Sequence, residues 1–213
     1  GAVNLGQGFP DWEPPDFVVE QAQAALRNGV HQYTRPAGHP ALIEVLAKRY
    51  SSHLDRPVDA MSEVAITVGA SQALYLTLQA LLDPGDEVLI PEPAFDLYYG
   101  QVRLAGGTVR PVALKVDDAT RTWSIDLDAL AAAAATGKPK LLILNSPHNP
   151  TGTAFKPHEM EAIAEIMRRH PNLYVISDEV YKYTVYDEAS EHVHFASLPG
   201  MFDRTVTLSS AGK

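Results

Sequence analysis

The 213-residue chain contains no cysteine. Disulfides and thiolate metal centres are therefore excluded, and a reducing, cytoplasmic compartment is the natural expectation. No apolar run approaches the roughly 20 residues of a membrane-spanning helix. Positive charge is scarce: 17 Lys and Arg stand against 26 Asp and Glu, a formal net charge of -9, and no Lys/Arg run forms a phosphate-tracking stripe. Neither nucleic acid nor membrane is an expected partner. Residues 1–11 lack the basic start and apolar centre of a signal peptide. They carry glycine and apolar residues at once and no Met, so they read as a beginning in mid-fold, and both ends are expected to be trimmed. Apolar residues, in contrast, are plentiful: a 46% hydrophobic content is ample for a sizeable core, one large domain with part of a second.

The pattern along the chain predicts alternating helices and strands. Residues 14–29 read as a helix, with Pro15 in the first turn, Phe17, Val18, Ala22, Ala25 and Leu26 at helical spacing, and Gly29 as a stop. Residues 31–38 are a loop by their Pro and Gly, and 40–54 form a second amphipathic helix. Strands are expected at 64–68, 87–90, 108–114, 140–144, 173–176 and 205–208, and helices at 73–82, 95–105, 126–135 and 157–170. Residues 117–123 read as a polar surface excursion. This alternation predicts an α/β domain with a mostly parallel sheet, flanking helices and binding loops at the carboxyl ends of the strands.

Several polar motifs fall at those strand ends. Asn145-Ser-Pro-His-Asn149-Pro-Thr-Gly152 closes one apolar run, Ser177-Asp178-Glu-Val-Tyr181 closes the next, and the chain finishes on Ser209-Ser210-Ala-Gly-Lys213. Each is ordinary in isolation. A terminal lysine is usually a solvated charge, a strand-end acid usually caps a loop, and Asn-Pro is a turn signal. Together, and in this order, they suit pyridoxal phosphate: the lysine supplies an amine for its aldehyde, Asp178 a carboxylate for the protonated ring nitrogen, and Asn149 and Tyr181 groups for the ring oxygen. Gly69-Ala70-Ser71-Gln72 opens a helix straight after a strand, an anion site suited to a phosphate, to which Ser210 adds a hydroxyl. Phe95 is placed to stack on the ring. Tyr183 and Tyr186 are expected to be half-buried aromatics. No metal site is expected: His192 and His194 alternate on an extended segment without a carboxylate at ligand spacing, and His158-Glu159 lacks a second His. Dinucleotide and Walker glycine patterns and a nucleophile elbow are absent from the sequence.

With residues 4–11, His31-Gln-Tyr33, Gly69 to Tyr75 and Glu92-Pro-Ala-Phe95-Asp added, these segments run through the whole chain in the order found in one family. The chain resembles the class I/II aminotransferases, the fold-type I pyridoxal-phosphate enzymes, and within them the kynurenine/glutamine transaminase and methionine aminotransferase branch. The resemblance implies a large cofactor-binding domain over residues 36–213. Residues 1–35 are implied to belong to the small domain and the substrate site. Lys213 would be the cofactor-bearing lysine and general base, and Asp178 the partner of the ring nitrogen. Asn149 and Tyr181 would bind the ring oxygen, with Asn149 also near the substrate, and Phe95 would stack on the ring. Ala70, Ser71 and Ser210 would hold the phosphate, and Gly8 would line the substrate-carboxylate site. Tyr33 would reach the phosphate of a neighbouring subunit, which implies a homodimer with shared active sites.

Two departures stand out. Ser71 lies where kynurenine transaminases often place Tyr, which changes the substrate-side wall. The basic phosphate-binding residue and the substrate-carboxylate arginine of the family lie beyond Lys213. The expectation is either a fragment or a chain broken at a modified lysine, the second favoured because the break falls on the residue expected to carry the cofactor. The activity implied is transfer of an amino group between an aromatic or sulfur-containing amino acid, such as kynurenine, glutamine or methionine, and a 2-oxo acid. Two other readings stay open: β-elimination from cysteine S-conjugates, and a non-catalytic sensing domain of a regulator.

Overall fold

The computed structural model describes residues 2–4, 8, 12–186 and 192–212, in two units, Gly1–Pro36 and Ala37–Lys213. Gly1, Lys213 and the stretches 5–7, 9–11 and 187–191 lie outside the described residues.

The first unit is built on α1 (Asp16–Arg27), which follows a Pro-Pro pair and places Asp16 in its first turn and Arg27 in its last. Those charges complement the helix dipole. The stop at Gly29 has a physical basis: with φ at +76° its N–H reaches Leu26 O at 3.2 Å, and the Val30 N–H reaches Ala25 O at 2.9 Å. This pair of reversed bonds satisfies last-turn carbonyls and favours glycine. None of the helix residues is buried, and Phe17, Val18, Val19 and Leu26 are exposed.

The second unit begins with α2 (Pro40–His53) and α3 (Gly69–Leu81), followed by β1 (Glu87–Glu92), α4 (Leu97–Leu104), β2 (Thr108–Val116) and β3 (Trp123–Ile125). Then come α5 (Leu127–Ala134), β4 (Pro139–Asn145), α6 (Pro157–Arg169), β5 (Tyr174–Asp178) and β6 (Thr205–Leu208). Two short 3-10 turns, Phe195–Ser197 and Phe202–Arg204, precede β6. The sheet order is β3-β2-β1-β4-β5-β6, parallel throughout except for β3, which pairs antiparallel with β2.

Alternation along the central strands sorts the core onto two faces. Val88 and Ile90 of β1, Leu141 and Ile143 of β4, and Ile176 of β5 pack with Leu74 and Leu78 of α3 and Tyr98 and Val102 of α4. The intervening Leu89, Leu142, Leu144 and Val175 pack with Leu130 of α5 and with Met160, Ile163 and Met167 of α6. Burial on both faces is why these strands read as continuous apolar runs.

Local chemistry sets the helix ends. The Asp126 carboxylate accepts the Ala129 N–H at 3.0 Å and starts α5. Pro157 enters α6, where the Glu159 carboxylate accepts the Lys156 N–H at 2.8 Å. Gly38, at φ +116°, lies so close to Ile66 that a β-carbon would sit 2.9 Å from Ile66 Cβ. Only glycine fits there without strain.

Two expectations are corrected. The strand at 64–68 does not form, because a strand exists only where a neighbour accepts its ladder bonds, and none lies alongside among the described residues. The Ile66 N–H bonds Ala37 O instead, at 3.0 Å, and residues 64–67 line one hollow of about 940 Å³ together with β6. The polar excursion also ends earlier than expected. The Asp117 carboxylate turns the chain by accepting the N–H groups of Ala119 and Thr120, and Trp123 already belongs to β3.

Candidate active site

The sheet runs outward from β1 to β3 in one direction and from β4 to β6 in the other, so the chain reverses between β1 and β4. Crevices at the carboxyl ends of strands flanking such a reversal are where open α/β sheets bind ligands. A cavity of about 120 Å³ occurs here, lined by Ala70 and Ser71 at the start of α3, Phe95 and Tyr98 after β1, Asn145 and Asn149 at the end of β4, and Asp178 and Tyr181 at the end of β5. Six of the residues singled out in the sequence, Ala70, Ser71, Phe95, Asn149, Asp178 and Tyr181, thus share one hollow although they come from four separate stretches.

Asp178 is the last residue of β5 and is buried. Its Oδ2 accepts the Tyr98 phenol at 2.6 Å, and its Oδ1 accepts the Val180 N–H at 3.3 Å. Burial, and after it the charge of Asp178, raises the Tyr98 pKa, so the phenol keeps its proton and acts as the donor. Asn145 faces Asp178 across the β4–β5 ladder. Its Nδ2 donates to the Asp178 carbonyl, and its Oδ1 accepts the Asn149 N–H at 2.7 Å. One side chain therefore joins the two loops that carry the polar motifs. Beyond Asn149 the loop closes on itself: the Gly152 N–H bonds His148 O at 2.7 Å, and His148 Nδ1 lies 2.8 Å from Thr151 Oγ1. Burial pushes the His148 imidazole down to about 4, so it is neutral at pH 7.

Ala70 and Ser71 stand in the first turn of α3, where backbone N–H groups lack intrahelical acceptors. The Gln72 side chain folds back to accept the Val68 N–H at 2.6 Å, and the Ser71 carbonyl accepts from Gln101 Nε2 at 3.1 Å. The Phe95 ring meets the Tyr98 ring edge-on, 5.7 Å between centroids.

Of the remaining sequence candidates, Ser210 alone is a described residue of the same unit. Ser210 follows β6 and borders the 940 Å³ hollow with Gly69, Lys182 and Ser209 rather than the smaller cavity. Tyr33 and Gly8 belong to the first unit and are exposed. Lys213 lies outside the described residues. Tyr183 and Tyr186, expected to be half-buried, are exposed; the Thr184 N–H bonds Tyr181 O at 2.8 Å and closes a turn there.

Three groupings escaped the sequence. Tyr98 lies inside the stretch 95–105 expected to be a helix, with no signal of its own to single it out. Lys182, although buried, donates to Tyr50 Oη at 2.6 Å and to Ser209 Oγ at 3.0 Å, and so ties the loops after β5 and β6. Glu179 lies directly behind Asp178, and its Oε2 meets His194 Nδ1 at 2.6 Å and His192 Nε2 at 3.2 Å. Its Oε1 accepts from Ser177 Oγ at 2.9 Å and from the Phe195 N–H at 3.3 Å. The fold thereby supplies the carboxylate that the spacing of His192 and His194 did not show. The 2.6 Å contact is a hydrogen-bond length. Burial alone would raise the Glu179 pKa, but the bonds from both imidazoles overcome it and hold the carboxyl at about 2.

Comparison with known proteins finds relatives along the whole chain. The pattern of the family described as aminotransferase class I and II matches residues 1–213. The kynurenine–oxoglutarate transaminase of Dictyostelium discoideum is 43% identical over 225 residues, covering 100% of this chain and 51% of that protein. Kynurenine–oxoglutarate transaminase 1 of Rattus norvegicus is 45% identical, over 99% of this chain and 51% of its own length. Among solved structures, N-succinyldiaminopimelate aminotransferase from Mycobacterium tuberculosis superposes with a TM-score of 0.91 at 42% identity, covering 98% of this chain and 53% of its own. The chain spans about half the length of the relatives it matches. It belongs to the aminotransferase class I and II family, whose members depend on pyridoxal phosphate.

Proposed function

We propose that this chain forms the cofactor-binding part of a pyridoxal-phosphate-dependent aminotransferase that moves an amino group between an aromatic or sulfur-containing amino acid, such as kynurenine, glutamine or methionine, and a 2-oxo acid. The observation that carries the reading is the gathering of Ala70, Ser71, Phe95, Asn149, Asp178 and Tyr181 around one cavity at the sheet's reversal point. The donor set fits the group. A buried carboxylate suits a cationic ring N–H, an Asn and a Tyr suit a ring oxygen, and first-turn amides suit a phosphate.

When bound, the cofactor supplies an electron sink that stabilises negative charge at the substrate Cα. Asp178 would keep the ring nitrogen protonated. Asn149 and Tyr181 would bind the ring oxygen, and Phe95 would cover one face of the ring. Ala70 and Ser71 would hold the phosphate through the start of α3; Ser210, which borders the larger hollow with Gly69, would add its hydroxyl only from that side. Lys213 would carry the cofactor covalently through Nζ and, once released, take the proton from the substrate Cα and deliver it to the cofactor's former aldehyde carbon. Residues 1–35 would belong to the small domain, with Gly8 beside the substrate carboxylate. Tyr33 would reach the phosphate of a second copy, which makes a homodimer the expected assembly.

The test is chemical. Borohydride treatment of the cofactor-loaded protein, followed by peptide mass analysis, should place the reduced adduct on Lys213, and Lys213→Ala should abolish amino transfer. An adduct on another lysine, or transfer retained in that variant, refutes the reading. Release of ammonia and pyruvate from a cysteine S-conjugate without amino transfer to a 2-oxo acid would make the protein a β-lyase instead.

A further inference from the structure

We propose that Tyr98 is a positioning residue for the cofactor, fixing the Asp178 carboxylate and the Phe95 ring from a single point on α4. This rests on the reading of Asp178 as the partner of the ring nitrogen. Tyr98 and Asp178 are 80 residues apart in the chain, yet the phenol donates to Oδ2 at 2.6 Å. That length belongs to a charge-assisted O–H···O⁻ bond. The other carboxylate oxygen takes the Val180 N–H at 3.3 Å, so turning the carboxylate would break bonds at both oxygens.

Tyr98 is itself immobilised. It is 3% exposed, and Val102, one turn on, anchors α4 in the same apolar cluster as Leu74 and Leu78. Its N–H bonds Phe95 O at 3.2 Å. Its ring stands at 89° to that of Phe95, the edge-to-face arrangement aromatic pairs favour. The residue proposed to cover the ring and the residue proposed to bind its nitrogen are thus held by one side chain. The electrostatic consequence follows from the direction of donation: a donor to a carboxylate favours its charged form, which is the form a cationic ring N–H requires.

The test compares two cofactors, pyridoxal phosphate and its deaza analogue, in which C–H replaces the ring nitrogen. Dissociation constants are measured by spectroscopic titration of cofactor-stripped protein, for the parent, Tyr98→Phe and Asp178→Asn, with folding checked by thermal melting. Tyr98→Phe keeps the ring and its edge contact and removes only the donor. It should weaken pyridoxal phosphate roughly tenfold to hundredfold and change the deaza analogue far less. Equal losses for both cofactors would make Tyr98 merely structural and overturn the proposal. If the phenylalanine variant does not fold, 3-fluorotyrosine in place of Tyr98 gives a stronger donor of nearly the same shape. The preference for pyridoxal phosphate over the deaza analogue must then rise, and an unchanged preference overturns the proposal. Asp178→Asn separates the two levels of inference. If it keeps the parent's preference between the cofactors, the reading of Asp178 falls and the proposal with it. If it loses that preference while Tyr98→Phe retains it, only the role of Tyr98 is overturned.

Discussion

Asn145 Nδ2 donates to the main-chain carbonyl of Asp178 at 2.9 Å, while its Oδ1 accepts the Asn149 N–H at 2.7 Å. The amide is 3% exposed, so water cannot replace either bond. Asn145→Ala should therefore cost about 1–3 kcal/mol, the penalty for stranding buried backbone groups. Urea unfolding should show a lower midpoint at unchanged slope. Cofactor affinity should fall as well, because the loops bearing Asn149 and Asp178 lose their common tie. A midpoint equal to that of the parent would show that Asn145 is not the brace.

His148 gives the fold an acid limit. Burial pushes its imidazole down to about 4 from 6.5, so between those values the unfolded chain binds a proton that the folded chain refuses. The stability this neutral histidine contributes is present above pH 6.5 and is lost as the pH falls toward 4, at up to about 1.4 kcal/mol per pH unit. His148→Gln should flatten that part of the stability profile. Urea midpoints taken from pH 7 to pH 4.5 check it, and an equally steep profile in the variant would contradict the assignment.

Glu179 titrates in a lower window. Hydrogen bonds from His192 and His194 outweigh its burial and depress its pKa from 4.5 to about 2. Its contribution is present above pH 4.5 and disappears as the pH falls through about 2. Circular dichroism should show Glu179→Gln less stable at pH 7 and less sensitive to acid between those limits. The neutral pH loss should be a few kcal/mol, because removing one partner strands the others in a buried site. A variant as stable as the parent at pH 7 would mean that the two imidazoles do not depend on the carboxylate.

The core should respond unevenly to shortening. Leu144 is fully buried among Leu89, Leu142 and Val175 and the helices α5 and α6, so Leu144→Ala should cost about 2–5 kcal/mol. Leu104, 68% exposed at the end of α4, should tolerate the same change within about 0.5 kcal/mol. Paired denaturant curves decide it, and similar losses at both positions would contradict the two-faced core.

What the sequence alone determined is what acts over a few residues. The helical spacing of α2 and α6, the Gly29 stop, the proline entering α6 and the apolar runs of β4 and β5 all depend on neighbours within about one or two turns. So does the placing of Asn149, Asp178 and Phe95 at strand ends. Residues 64–68 mark the limit of that reading: they have the composition of a strand, but a ladder requires a partner elsewhere in the chain. Trp123–Ile125 marks it from the other side, as three residues are too few to show a period, and only the edge of β2 makes them a strand. Tertiary structure alone decided that Tyr98 meets Asp178 across 80 residues, that Glu179 lies between two imidazoles, and that Ser210 borders a different hollow from Ser71. These depend on the order of strands in the sheet. That order is set by burying two apolar faces at once, which no local stretch of sequence can express.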